Sequence, residues 1–146
     1  MVRSASLILA VGLVAVSASS ASADGWKAFT DKKGKCTAQV PASWGPGEFG
    51  LGMVSPGGKS DAAISVTALD LAGTKATADS TFTVESVVEN SSKRYWIVFA
   101  DRVGKPIRHQ YVAVPGHGFT CAFNVDYDRA VSEDDVKTMM QSLRPK

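Results

Sequence analysis

From Trp26 onward the apolar residues recur at every second position, in short runs divided by glycine and proline. A period of two sends alternate side chains to opposite faces of a strand, so most of such a chain must fold as sheet. Trp26, Ala28 and Thr30 alternate with Lys27 and Phe29, Asp31-Lys32-Lys33-Gly34 supplies a turn, and Cys36, Ala38 and Val40 then alternate with Thr37 and Gln39. This predicts an opening hairpin whose second strand stops at Pro41. Phe49, Leu51 and Met53 repeat the period, Ser55-Pro56-Gly57-Gly58 turns the chain, and Ile64, Val66 and Ala68 share one face over Ala62 to Leu69. A second hairpin is expected there.

Leu71 to Ser80 shows no clear period. Phe82 to Glu89 is rich in β-branched residues and is followed by the turn Asn90-Ser91-Ser92, which favours strand over a short helix. Arg94 to Ala100, apolar without a break from Tyr95 to Phe99, reads as a central strand covered on both faces. Ile107 to Val114 and Phe119 to Asp126 complete a meander through Gly104-Lys105-Pro106 and Pro115-Gly116-His117-Gly118. One helix is expected over Glu133 to Leu143. Ser132 is its N-cap, Glu133, Asp134 and Asp135 suit the positive end of its dipole, and Val136, Met139, Met140 and Leu143 form one apolar stripe. The fold class is therefore α+β, an antiparallel sheet with a C-terminal helix packed on it.

The first 23 residues read as a signal peptide. Arg3 precedes the apolar stretch Leu7 to Val16, and Ala21-Ser22-Ala23 gives an A-x-A cleavage site, so the exported domain spans 24–146. That stretch is too short to span a bilayer. No second one follows, and no cysteine sits where a lipoprotein signal needs it. A periplasmic or secreted domain with no transmembrane segment is expected.

Cys36 and Cys121 are the only cysteines. In an oxidising compartment a disulfide is their default state. Cys36 shares a face with Ala38 and Val40, and Cys121 with Phe119, Phe123 and Val125, so both sulfurs point into the core and the bridge serves stability. Neither has a C-x-x-C partner, which argues against a reactive or metal-binding thiol.

Charge narrows the partners. The chain has 16 basic and 14 acidic residues, and only Arg3 falls in the leader, so the exported net charge is +1. This excludes a nucleic-acid binder steered by overall charge. Motifs for chemistry fail on context. Gly45-Pro46-Gly47-Glu48-Phe49-Gly50 matches G-x-G-x-x-G without the required strand–turn–helix order, and Gly58-Lys59-Ser60 lacks the upstream glycine and following helix of a phosphate loop. His109 and His117 are too few for a closed zinc site, and adding Asp101 or Asp126 is arbitrary. There is no serine elbow. Asp126, Asp128 and Glu133 to Asp135 lack calcium-loop spacing. No cofactor, metal or catalytic set is assigned. Asn90-Ser91-Ser92 is a glycosylation sequon, relevant only in a eukaryotic secretory route.

Aromatics and the turn histidine are the remaining candidates for partner binding: Trp44 in a Gly/Pro loop, His117 at a turn tip, and Tyr127 just past a strand. Trp44 also fits a lid over a sheet end, since tryptophan is mostly buried.

Phe29-Thr30-Asp31, Gly34, Cys36-Thr37-Ala38-Gln39-Val40-Pro41 and Trp44 resemble the opening of PsbP-like domains, with Cys36 where a large apolar residue is usual. Gln141-Ser142-Leu143-Arg144-Pro145 is similar to the end of that family's final helix. The resemblance implies an antiparallel sheet with packed helices and a non-enzymatic accessory or binding role, with no catalytic residues. The chain departs from the family at Leu71 to Ser80, too short and polar for its usual middle helix.

Three uses then stand: a domain acting through a protein or cell-envelope partner; an inhibitor plugging an envelope hydrolase with Pro115 to Gly118 or Trp44 to Gly50; and an enzyme using Asp126, Asp128 or His109 in a cleft.

Overall fold

The computed structural model describes residues 25–100 and 107–146. The leader 1–23, the proposed first exported residue Asp24, Asp101 and the turn Gly104-Lys105-Pro106 lie outside the described residues.

The opening hairpin forms as the alternation dictates. β1 (Trp26–Thr30) pairs with β2 (Cys36–Pro41), Trp26 opposite Pro41 and Thr30 opposite Thr37. Asp31 fixes its turn, its carboxylate accepting the main-chain N–H groups of Lys33, Lys35 and Cys36. The hairpin does not join the main sheet. It forms a three-stranded sheet of its own with β10 (Arg144–Pro145), where a single continuous sheet was expected.

The main sheet has seven strands in the order β3-β4-β5-β9-β8-β7-β6. These are β3 (Gly45–Pro46), β4 (Met53–Val54), β5 (Asp61–Thr67), β6 (Thr83–Asn90), β7 (Tyr95–Ala100), β8 (Arg108–Pro115) and β9 (Thr120–Tyr127). β6 to β9 are the expected meander; the strand expected over Phe82 to Glu89 forms as Thr83–Asn90, with Phe82 closing α1 before it. The second hairpin is smaller than its pattern. Phe49 and Leu51 do not continue a strand: Glu48–Gly50 makes one 3-10 turn, and only Met53 and Val54 pair with β5.

Parity then builds two cores. On one face of the sheet Val112, Cys121, Phe123, Val125 and Tyr127 meet Cys36, Ala38 and Val40 of β2. Val136, Met139 and Met140 of α2 (Glu133–Ser142), with Leu143 beyond it, complete that core. Ser132 caps α2 by accepting the N–H of Asp135 at 3.0 Å. On the opposite face Tyr95, Ile97, Phe99, Tyr111, Ala113 and Ala122 pack under α1 (Leu71–Thr81).

α1 corrects the sequence reading of 71–80. Its signal is weak because only Thr74 and Ala78, four apart, are buried in an otherwise polar segment. Asp70 caps its start by accepting the Gly73 N–H at 2.8 Å, and burying even this narrow stripe on the sheet outweighs modest propensity.

Candidate functional site

A disulfide joins Cys36 of β2 to Cys121 of β9 across a sequence separation of 85. Both sulfurs are fully buried, as their faces required. The bridge therefore clamps the three-stranded sheet onto the seven-stranded one.

Two of the three residues weighed for partner binding are not surface anchors. Trp44 is 3% exposed and Tyr127 2%. Trp44 closes the end of the first core, and the Lys27 ammonium donates to its main-chain carbonyl. Tyr127 lies on the inward parity of β9, so its ring enters the core and only its hydroxyl reaches polar groups. His117 alone of the three is exposed, at the tip of the β8–β9 turn.

The Tyr127 hydroxyl is the middle of a polar chain. Trp96 Nε1 donates to Gln110 Oε1 at 2.8 Å, Gln110 Nε2 donates to the Tyr127 hydroxyl at 2.9 Å, and that hydroxyl donates to Glu133 Oε2 at 2.8 Å. Glu133 also pairs with Arg108 at the surface. Burial, together with the Glu133 carboxylate it donates to, raises the Tyr127 pKa, against the opposing effects of Gln110 and Arg108. The chain satisfies buried polar atoms and pins the start of α2 to β8 and β9.

Of the acid–base candidates, two pair and the third stands apart. His109 Nδ1 lies 2.5 Å from Asp126 Oδ1 as a cross-strand pair on the α1 face of the sheet. Asp61 stands opposite Asp126 on β5. Partial burial of the Asp61 carboxyl, then the adjacent Asp126 carboxylate, raise its pKa, with His109 opposing. Asp128 is not part of this row; its carboxylate accepts from Ser60 Oγ at 3.3 Å. The cavity that His109 lines is shared with Glu85, Ser86, Val98, Phe99, Ala100, Ile107 and Arg108, and neither Asp126 nor Asp128 lines it. Among the described residues no three His, Cys, Asp or Glu side chains converge as metal ligands. No helix of the described residues is long and apolar enough to cross a membrane.

The sequence reading named the loop Trp44 to Gly50 but set Phe49 and Leu51 on a strand, and so missed the most exposed large apolar side chains among the described residues. Phe49 is 90% exposed and Leu51 65%. Phe49 is also the one described non-glycine residue in the left-handed region, at φ 58°. Behind this loop a groove of about 240 Å³ runs between the β1–β2 turn and β5, with Phe29, Ile64, Val66 and Leu51 as its apolar wall and Lys32, Lys33 and Asp31 at its rim. The hidden signal was glycine. Gly50 and Gly52 both take positive φ, which turns Phe49 and Leu51 out of the strand their spacing suggested.

Two antiparallel sheets stacked face to face, with one helix on each side of the larger, define the PsbP/Mog1-like α+β fold. The solution structure of cyanobacterial PsbP (CyanoP) from Synechocystis sp. PCC 6803 superposes with a TM-score of 0.54 at 11% identity, covering 84% of this chain and 94% of that one. The Ran-binding protein Mog1p from Saccharomyces cerevisiae matches with a TM-score of 0.51 at 9% identity, over 82% of this chain and 95% of its own. At such identities the likeness is one of fold. No family model and no curated protein matches the chain.

Proposed function

We propose that this chain is an exported, non-enzymatic binding domain that acts by docking on a protein of the cell envelope. One observation carries the reading: Phe49 and Leu51 stand 90% and 65% exposed beside an apolar groove. Large apolar side chains left in water next to a concave apolar surface mark interaction sites. The left-handed backbone at Phe49 agrees with this, because non-glycine residues held in that region cluster at functional sites. Two further features agree with the location: the leader pattern of residues 1–23 and a disulfide, which persists outside reducing compartments. The use of the same fold by a Ran-binding protein agrees with a binding role.

The test is capture from envelope extract with a photo-crosslinking residue at position 49. Wild-type background should yield a discrete crosslinked protein, and Leu51→Ser in the same background should reduce its yield at least fivefold. Absence of any crosslinked species above background in the wild type refutes the reading.

A further inference from the structure

We infer that β5 is a receptor strand, and that an extended acidic segment of the partner adds to its open edge beside the Phe29–Leu51 groove. This rests on the binding reading above and names the chemistry of the occupant.

The edge follows from unequal strand lengths. β9 pairs with all of β5 from Asp61 to Thr67, whereas β4 reaches only Asp61 and Ala62 on the other side. The direction of the remaining main-chain groups is fixed by Ala62. Its carbonyl oxygen faces β4, so close to Gly52 that a Cβ there would lie 2.5 Å away. Successive residues of a strand direct their N–H and C=O alternately to the two sides. Ile64 and Val66 therefore present theirs outward, and among the described residues no backbone hydrogen bond from a turn or loop reaches either.

Sheet edges are normally guarded, and the opposite edge of this one is. β6 carries two register shifts and the charges Glu85 and Glu89. Bulges and charges are the usual means of refusing a further strand. The open part of β5, Ala63-Ile64-Ser65-Val66-Thr67, has continuous register and no charge or proline. It is built to pair.

The occupant is selected by what flanks the edge. Side chains of an added strand alternate, so one set falls into the apolar groove against Phe29, Ile64, Val66 and Leu51. At the rim Lys32 and Lys33 are exposed. Asp31 is the one acid of the rim, and its carboxylate is already engaged by three main-chain N–H groups. The balance is positive and calls for carboxylates. A second copy of this chain adding edge to edge brings its own Lys32 and Lys33 to the same seam, so charge favours a different, acidic partner.

The probe is a nine-residue peptide alternating valine and glutamate, titrated into the full chain labelled with 15N at low salt. Expected are chemical-shift changes confined to β5, residues 29–33 and 49–52, and amide exchange at Ile64 and Val66 slowed tenfold or more. Lys32→Glu with Lys33→Glu should weaken the probe at least tenfold, and a valine–lysine peptide should not compete. N-methylating alternate amides of the probe, in one of the two possible phases, should abolish binding. Strand addition is overturned if both N-methylated peptides bind like the parent, if the shifts map elsewhere, if the chain self-associates through β5 without peptide, or if anionic vesicles displace the probe. Crosslinking of an envelope protein at position 49 with no response at Ile64 and Val66 sinks strand addition and leaves the binding reading intact. Probe binding at β5 with no envelope protein captured supports the site and removes the reading.

Discussion

Replacing Cys36 and Cys121 by alanine tests how the two sheets are held together. The bridge closes a sequence separation of 85, and the chain-entropy relation converts a loop of that length into about 4–5 kcal/mol of stability. Domains of this kind total about 5–15 kcal/mol, so the bridge is a large share. At about 4 °C per kcal/mol for a domain of this size, the midpoint of thermal unfolding should fall by about 15–20 °C. Chemical reduction of the wild type removes the link but keeps both sulfurs, so it isolates the loop term. The alanine pair adds the cost of emptying two fully buried positions, about 1–2 kcal/mol more. Urea unfolding of oxidised, reduced and alanine forms separates the three. Because the constraint acts on the unfolded chain, the oxidised form should also have the smallest m-value. If reduction shifts stability by under about 1 kcal/mol with the m-value unchanged, cross-linking is not what holds β2 over β9.

Tyr127→Phe strands Gln110 Nε2 without its acceptor, and should cost about 1–3 kcal/mol in urea unfolding. Phe49→Gly relieves a positive-φ backbone and should stabilise by up to about 1 kcal/mol while weakening partner capture. Gly52→Ala does the reverse. Its Cβ meets the Ala62 carbonyl at a positive φ, so a loss of about 2 kcal/mol is expected, read by thermal denaturation. Asp61 holds its proton to higher pH folded than unfolded, so its contribution to stability falls as pH rises from 3.8 through the raised value. Asp61→Asn should flatten that fall in a series of unfolding curves. Asp31 behaves oppositely: slight burial raises its pKa, but the N–H groups of Cys36, Lys33 and Lys35 together carry it below 3.8. Its stabilisation is full above 3.8 and fades as pH drops through the lowered value, so Asp31→Ala should matter at neutral pH and progressively less in acid.

What was legible in the sequence is what one residue type or one period dictates. Ser132 with three acids after it located the start of α2, and the parity of Cys36 and Cys121 placed both sulfurs in one core. The unbroken run Tyr95 to Phe99 forms β7, with Trp96 in one core and Tyr95, Ile97 and Phe99 in the other. Other features depend on relations between distant segments. α1 is stabilised by docking two small residues on a sheet that sequence cannot see. The separation of the hairpin into its own layer follows from β2 pairing with Arg144 and Pro145, more than a hundred positions away. Trp44 and Tyr127 failed as surface anchors because loop position and strand end say nothing about which side of the sheet is closed.

The same relation explains why an apolar edge survives here. The disulfide and the Trp96–Gln110–Tyr127–Glu133 chain brace the upper layer over β9 and β8, in the middle of the sheet. Neither reaches the outer side of β5. Gly50 and Gly52 turn the chain out of strand geometry just before β4, and only Met53 and Val54 remain to pair. A longer β4 would have covered Ile64 and Val66 and carried Phe49 and Leu51 into the sheet. The glycines thus do two things with one bend, exposing the aromatic and leaving the strand beside it open. A backbone substitution that straightens the loop, such as Gly50→Val with Gly52→Val, should therefore cost stability or partner capture, and an outcome that alters neither would separate the loop from the site.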